Sequence, residues 1–372
     1  MSLALYRKYR PKTLSDVLGQ DIISGILKNA ARLDRLAHAY LFYGSKGSGK
    51  TTTARIVAKI ANCQTRQSDL KFKDKGEPCN KCEACLQIDK GQALDVIEID
   101  AASNRGIDEI RDLKESIRVS PTSFKYKVYI IDEAHQLTKD AFNALLKTLE
   151  EPPAHAIIIL VTTEFEKMPA TITSRTQIFH FKKLPIQIIV EKLKKMAKEE
   201  KIPITDEALE IIAASAGGSF RDAESLLDQI ASIGKETKDP LIGVDDVEKT
   251  IGQVSFIRTA ELANLIVKSD LAKALEYISE ISEGGHNTVQ FTKDLIHYFR
   301  RTLALKYSPE LEKSFSKELT ESELKSVKKH SKEIDGQKTI NLIKLLIRAY
   351  SEMRYSPFVL VPLEVAIIEN LK

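Results

Sequence analysis

Four short runs in the first half of the chain are apolar without alternation: AYLFY (39–43), DVIEIDA (95–101), KVYIID (127–132) and AIIILVTT (156–163). Runs that are apolar on both sides of the pleat suit a parallel sheet covered on both faces. Helical periods separate them, so the pattern predicts an α/β fold with right-handed crossovers to about residue 180. From Leu184 onward the strand signal fades. Residues 188–202 read as an amphipathic basic helix, and Thr205 as the N-cap of a helix over DEALEIIAASA that Gly217 and Gly218 end. Ser219 would cap the next helix, with Asp222 three residues on as in a capping box. A small helical domain over 181–243 fits this spacing. The remainder, 244–372, carries several more helical periods and nothing that looks catalytic, so it is expected to be an all-helical assembly domain.

Composition changes this picture little. The 372 residues are 43% hydrophobic and 29% charged, as in an ordinary soluble protein with a sizeable core. The net charge is +4, no more than Arg7, Lys8, Arg10 and Lys12 supply together, so any nucleic-acid surface must be local. MSLALYRKYRPK lacks the apolar centre of a signal peptide, and the longest apolar run, Ala156 to Val161, is too short to span a bilayer. A cytoplasmic protein with no membrane partner is the expectation.

The chemistry concentrates at strand ends. GSKGSGKTT, from Gly44 to Thr52, follows the first run and precedes a good helix former, TTTARIVAKIAN. This is a phosphate-loop pattern: Gly47 and Gly49 permit the positive φ that lets backbone N–H groups wrap an anion, and the following helix aims its N-terminus at the same charge. Lys50 would reach the β and γ phosphates of a nucleotide, and Thr51 would hold Mg²⁺. KVYIIDEAH places Asp132 and Glu133 at the end of a strand expected to lie beside the phosphate-loop strand. One carboxylate there can join the Mg²⁺ shell, and the next can orient and deprotonate an attacking water. Thr162 and Thr163 end the run AIIILVTT, as hydroxyls for a γ-phosphate or a lytic water, or simply as polar strand-end residues. Arg175 reads equally as a surface ion pair or as a catalytic finger. Arg221 opens a helix against its macrodipole, which makes sense beside an anion; a salt bridge to Asp222 or Glu224 is the competing account. The segment around Arg7, Lys8 and Arg10 is either a solvated arm or a cover for the nucleotide base. Finally, Cys63 and the CNKCEAC run (Cys79, Cys82, Cys85) give a four-thiolate set, for which zinc in a closed, structural site is the expected metal.

Taken together, ALYRKYRPKTLSDVLGQD, HAYLFYGSKGSGKTTTARIVAKIANC, CNKCEAC, KVYIIDEAH, FNALLKTLEEPP and GGSFRDAESLLDQ resemble the gamma/tau family of bacterial DNA polymerase III, the clamp-loader ATPases of the AAA+ superfamily. The resemblance implies an AAA+ P-loop domain over 1–180 with an inserted zinc module at about 63–85, a helical lid over 181–243 and a collar over 244–372. It implies that Gly44, Ser45, Lys46, Gly47, Ser48, Gly49, Lys50, Thr51 and Thr52 bind ATP, that Thr51 and Asp132 hold Mg²⁺, and that Glu133 and the first sensor Thr163 serve hydrolysis. Arg175 matches the finger that completes the ATP site of a neighbouring subunit, with Thr176 where the family usually has cysteine. Arg221 matches the second sensor, and Tyr6, Arg7, Arg10, Pro11, Val17 and Leu18 the adenine-side segment. Cys63 and Cys79 stand further apart than is usual in the family.

The implied partners are delta and delta-prime subunits, further copies of the chain, the beta sliding clamp and primer–template DNA, the last contacted near Asn104, Arg105 and the start of the helix after Thr138. Polymerase and helicase join this set only if the chain continues past Lys372. ATP hydrolysis would drive loading of the clamp onto primed DNA; the holoenzyme is a nucleotidyltransferase, but no polymerase carboxylate constellation stands in this sequence. Two rival readings are a non-hydrolysing, delta-prime-like subunit and another AAA+ ATPase that remodels DNA. Asp132-Glu133-Ala134-His135 also resembles one class of helicases, whose other motifs do not follow.

Overall fold

The computed structural model describes residues 4–103, 113, 115–234, 241–251, 256–316, 318–356 and 358–372. The chain forms two compact units, Met1–Leu184 with Gly218–Arg221, and Pro185–Gly217 with Asp222–Lys372.

The first unit is built on five parallel strands, β1 (Ala39–Gly44), β2 (Val96–Asp100), β3 (Lys127–Asp132), β4 (Ala156–Thr162) and β5 (Gln177–Phe181), in the order β2-β3-β4-β1-β5. Lack of alternation in the apolar runs has a simple cause. Tyr40 and Phe42 pack into one core with Leu27 of the helix Asp21–Arg32 and Ile56 and Ile60 of the helix Lys50–Asn62. Leu41 turns to the opposite core, with Tyr129, Phe142 and Leu145. Both faces are therefore dry, and each such side chain contributes roughly 1.5–3 kcal/mol by burial. Exposed positions occur only in the edge strands β2 and β5; in β1 and β3 only the carboxyl ends are partly open.

The strand order corrects one expectation. β3 does not lie beside β1; β4 stands between them, paired to both. All seven residues of β4 are buried, which suits the centre of a sheet better than either neighbour. Asp132 and the phosphate loop therefore meet across the carboxyl end of β4, where Thr162 and Thr163 sit.

In the second unit the helix expected over 188–202 runs Ile186–Glu200. Pro185 sets its start, since the proline carbonyl accepts from Ile189 N, and Lys201 ends it with φ of 55°. Thr205 caps Asp206–Ser215 through Ala208 N at 3.2 Å, as its sequence predicts. The next helix, Phe220–Gly234, begins directly after Ser219. Beyond it, Phe256–Val267, Leu271–Glu283, Thr288–Tyr307, Glu321–Glu333, Gly336–Met353 and Val361–Leu371 share a core around Leu262, Phe291, Leu295, Leu346 and Leu363. Among the described residues no helix is long and apolar enough to cross a membrane.

Asp294 lies half-buried on the helix Thr288–Tyr307, and burial pushes its carboxyl up to about 6 although Gln290 Nε2 donates to it at 2.8 Å. Its folded value thus exceeds the unfolded one, so folding disfavours the charged form. The penalty is absent below about pH 4 and complete above about pH 6. Asp294→Asn is therefore expected to stabilise the second unit by up to about 3 kcal/mol at pH 7.5 and not at pH 4, read from denaturant midpoints at the two pH values.

Candidate nucleotide site and cysteine cluster

The loop 44–49 leaves the carboxyl end of β1 and runs into the helix Lys50–Asn62. Gly49 forms the N-cap of that helix in the left-handed region, φ 98°, and Gly47 has φ 72°. At Gly47 a side chain is excluded twice over: a Cβ there would lie 1.8 Å from Ser219 Oγ and 3.0 Å from Ser219 Cα. Ser48 Oγ donates to Ser45 O at 2.8 Å, tightening the loop from inside. Lys50 is buried, and its ammonium donates to Gly44 O and Ser45 O at 2.9 Å each. Burial lowers its pKa, while the carboxylates of Glu133 and Asp132 act in the opposite sense.

Those carboxylates are placed by the end of β3. Thr51 Oγ1 donates to Asp132 Oδ2 at 2.8 Å, and Glu133 N donates to Asp132 Oδ1 at 2.9 Å. Glu133 adopts φ 47°, a conformation that costs a non-glycine residue free energy and is often stored at functional sites. Its Oε2 accepts from Thr163 Oγ1 at 3.0 Å and lies 3.4 Å from His135 Nδ1. That same Nδ1 sits 2.9 Å from Thr162 Oγ1. A hydroxyl and a carboxylate in direct contact are two hard oxygen donors of the kind Mg²⁺ takes, so the residues present fit that ion.

Around this centre the remaining sequence candidates divide. Val17 is buried against the loop, with Cγ1 3.6 Å from where a Gly49 Cβ would stand, whereas Leu18 is largely exposed. Arg10 and Pro11 are half-buried, Ser45 and Lys46 exposed, Thr52 half-buried. Arg221 lies over the Tyr6 ring at 5.4 Å, and Arg7 approaches the same ring, its Nε donating to Tyr6 Oη at 3.2 Å. Glu224, one proposed partner of Arg221, pairs with Lys192 at 2.6 Å. Arg175 is engaged elsewhere, with Glu150 at 2.6 Å and Thr171 O at 2.8 Å. Asn104 and Arg105 lie outside the described residues; Thr138 caps the helix Lys139–Glu150 through Ala141 N at 3.2 Å.

Cys63, Cys79, Cys82 and Cys85 bring their sulfurs within 4.8 Å of one another, with Cys79 and Cys85 at 4.0 Å. Tetrahedral zinc with sulfur at about 2.3 Å requires ligands about 3.8 Å apart, so the cluster is compatible with a structural zinc ion. Backbone N–H groups of Lys81 and Cys82 point at Cys79 Sγ (3.4 and 3.2 Å), and Cys79 N points at Cys63 Sγ (3.3 Å). Such donors favour thiolate. The Cys63 thiol is drawn down to about 4, chiefly by its hydrogen bond with Cys85, whose own thiol that contact pushes up.

Two residues that sequence reasoning passed over tie these parts together. Lys59 is 1% exposed, and its ammonium meets Asp89 at 2.8 Å, Asn80 Oδ1 at 2.8 Å and Lys12 O at 3.0 Å. The available signal was a lysine three residues after Ile56 on the apolar face of the helix. Glu77 receives Leu14 N and Ser15 N at 2.7 and 2.9 Å and pairs with Lys28 at 2.9 Å; no local pattern marks it.

A phosphate loop at the end of one parallel strand, facing an Asp-Glu pair at the end of another, defines a P-loop NTPase domain of the AAA+ type. Within that class the chain belongs to the gamma/tau family of bacterial DNA polymerase III subunits. Residues 19–185 match the family model described as DNA polymerase III, delta subunit; 188–236 that of the clamp loader subunit, ATPase lid domain; and 242–371 that of subunits gamma and tau, domain III. DNA polymerase III subunit gamma of Buchnera aphidicola is 34% identical over 95% of this chain and 93% of its own. Subunit tau of Bacillus subtilis is 41% identical over 98% of this chain and 62% of its own, and subunit gamma/tau of Mycoplasma pneumoniae 43% identical over 79% and 42%. The chain thus spans 62% and 42% of the length of these two longer relatives. None of these matches supports nucleotidyl transfer by this chain.

Gly47→Ala is expected to weaken nucleotide binding roughly ten- to hundredfold, because left-handed φ alone costs an alanine about 1–2 kcal/mol before the clash with Ser219. Titration with a fluorescent ATP analogue measures it, and the melting temperature of the variant checks that the fold is intact.

Proposed function

We propose that this chain is the ATP-hydrolysing motor subunit of a bacterial DNA polymerase III clamp loader, coupling ATP binding and hydrolysis to loading of the sliding clamp onto primed DNA. The observation that carries this reading is the 2.8 Å contact of Thr51 with Asp132, with Lys50 and Glu133 beside it. A non-hydrolysing subunit has no need of such an assembly.

The chain's own residues divide the work. Backbone N–H groups of 45–51 and Lys50 bind the β and γ phosphates. Thr51 and Asp132 would hold Mg²⁺, which neutralises charge on the phosphates when bound. Glu133, held by Thr163, orients the attacking water and accepts its proton. Arg221 reaches the γ-phosphate side, and Val17 and Tyr6 shape the base side with Arg7, Arg10, Pro11 and Leu18 at its margin. Arg175, engaged away from this chain's own loop, serves the site of the next subunit. Partners on this reading are delta and delta-prime subunits, further copies of the chain, the beta clamp and primer–template DNA. Zinc on the four cysteines pins the insert and takes no part in chemistry.

An arginine supplied in trans is typically worth about 10³–10⁵ in rate. Arg175→Ala should therefore leave ATP affinity of the isolated chain within about twofold while abolishing the stimulation of ATPase by clamp and primed DNA in the assembled complex. Stimulation at the wild-type level in that variant would refute the assignment. For the metal, elemental analysis of the purified chain should find one zinc per chain, and Cys79→Ser should lose it together with several degrees of melting temperature.

A further inference from the structure

We propose that Glu150 is a positioning residue for Arg175, fixing the guanidinium at the far end of a rigid helix that starts beside the chain's own nucleotide site. The proposal rests on reading Arg175 as the group that completes a neighbouring copy's site.

The helix Lys139–Glu150 is the connection. At one end it follows Glu133, His135 and the cap residue Thr138; at the other it terminates in Glu150. Twelve residues span about 18 Å at 1.5 Å per residue. Ala141, Phe142, Leu145 and Leu149 bury its inner face against the sheet, so the two ends move together. Glu150 Oε1 then holds Arg175 Nη2 at 2.6 Å, while Nη1 donates to Thr171 O at 2.8 Å and Ser174 Oγ at 3.2 Å. These bonds grip the guanidinium from two sides.

The plain alternative is a surface ion pair that happens to include Arg175. Both side chains are about a third to a half exposed, 34% and 47%, and exposed pairs add little to stability. Stability is thus a poor reason for the contact, and a direct way to separate the two accounts. A finger with a free side chain samples many rotamers; one whose second nitrogen is already bound reaches its target in one. Misplacement of a catalytic group by about 1 Å costs up to about a hundredfold in rate.

The test compares Glu150→Gln, Glu151→Gln and Arg175→Ala in the chain assembled with delta and delta-prime subunits, with clamp and primed DNA present. Glu151 is the exposed neighbouring acid and controls for loss of charge. Glu150→Gln is expected to lower kcat roughly tenfold or more with KM for ATP unchanged. Melting temperature and the slow ATPase of the isolated chain should stay at wild-type values, and Glu151→Gln should match wild type. If Arg175→Ala slows turnover and Glu150→Gln does not, the positioning role is overturned while the finger stands. If Arg175→Ala has no effect, the finger reading fails and the proposal with it. A Glu150→Gln chain that is slow in isolation, or melts early, would place Glu150 in the fold or in its own site instead.

Discussion

A central strand dry on both faces has nowhere to carry polar side chains except at its ends, and β4 imposes that constraint on the whole nucleotide-binding unit. Its seven residues are buried, it is paired to both β1 and β3, and its first polar positions are Thr162 and Thr163 at the carboxyl end. Everything with chemistry is therefore collected at one edge of the sheet: the loop after β1, the carboxylates after β3 and the hydroxyls between them. Thr51 lies on the helix that follows β1 and Asp132 at the end of β3, two strands that are not neighbours, yet they touch at 2.8 Å beside the end of β4.

Much of this was legible beforehand, for physical reasons. Unalternating apolar runs announce a doubly covered sheet, and the glycine spacing of the phosphate loop reflects backbone angles that alanine avoids. Strand order was not legible. A sequence shows which segments are strands, but it took the greater burial of AIIILVT to put it between the other two. Boundaries followed chemistry where a residue fixed them, as Thr205 did, and slipped by two residues where the apolar period alone suggested 188 and Pro185 sets the start at Ile186.

Long-range polar pairing was the other blind spot. Glu77 finds Leu14 and Ser15 across more than sixty residues, and Lys59 meets acceptors from three separate stretches. No local pattern marks Glu77, and the apolar helix face that carries Lys59 does not name its partners, since what makes each acceptable is a partner that only the fold supplies. The cysteines escaped this difficulty because metal-binding spacing is itself local for three of them, and the fourth, Cys63, ends the helix that the phosphate loop begins.

Lys59 carries a consequence for how this protein would fail. Of its three acceptors, Asn80 lies in the cysteine-bearing insert and Asp89 on the helix Glu83–Lys90 that carries Cys85 out of it. If oxidation or chelation let that insert and helix unravel, an ammonium sealed from solvent would keep a single carbonyl for company, and such stranded charge is strongly destabilising. Damage at the thiols would thus be felt three turns back along the same helix, at the loop that grips phosphate.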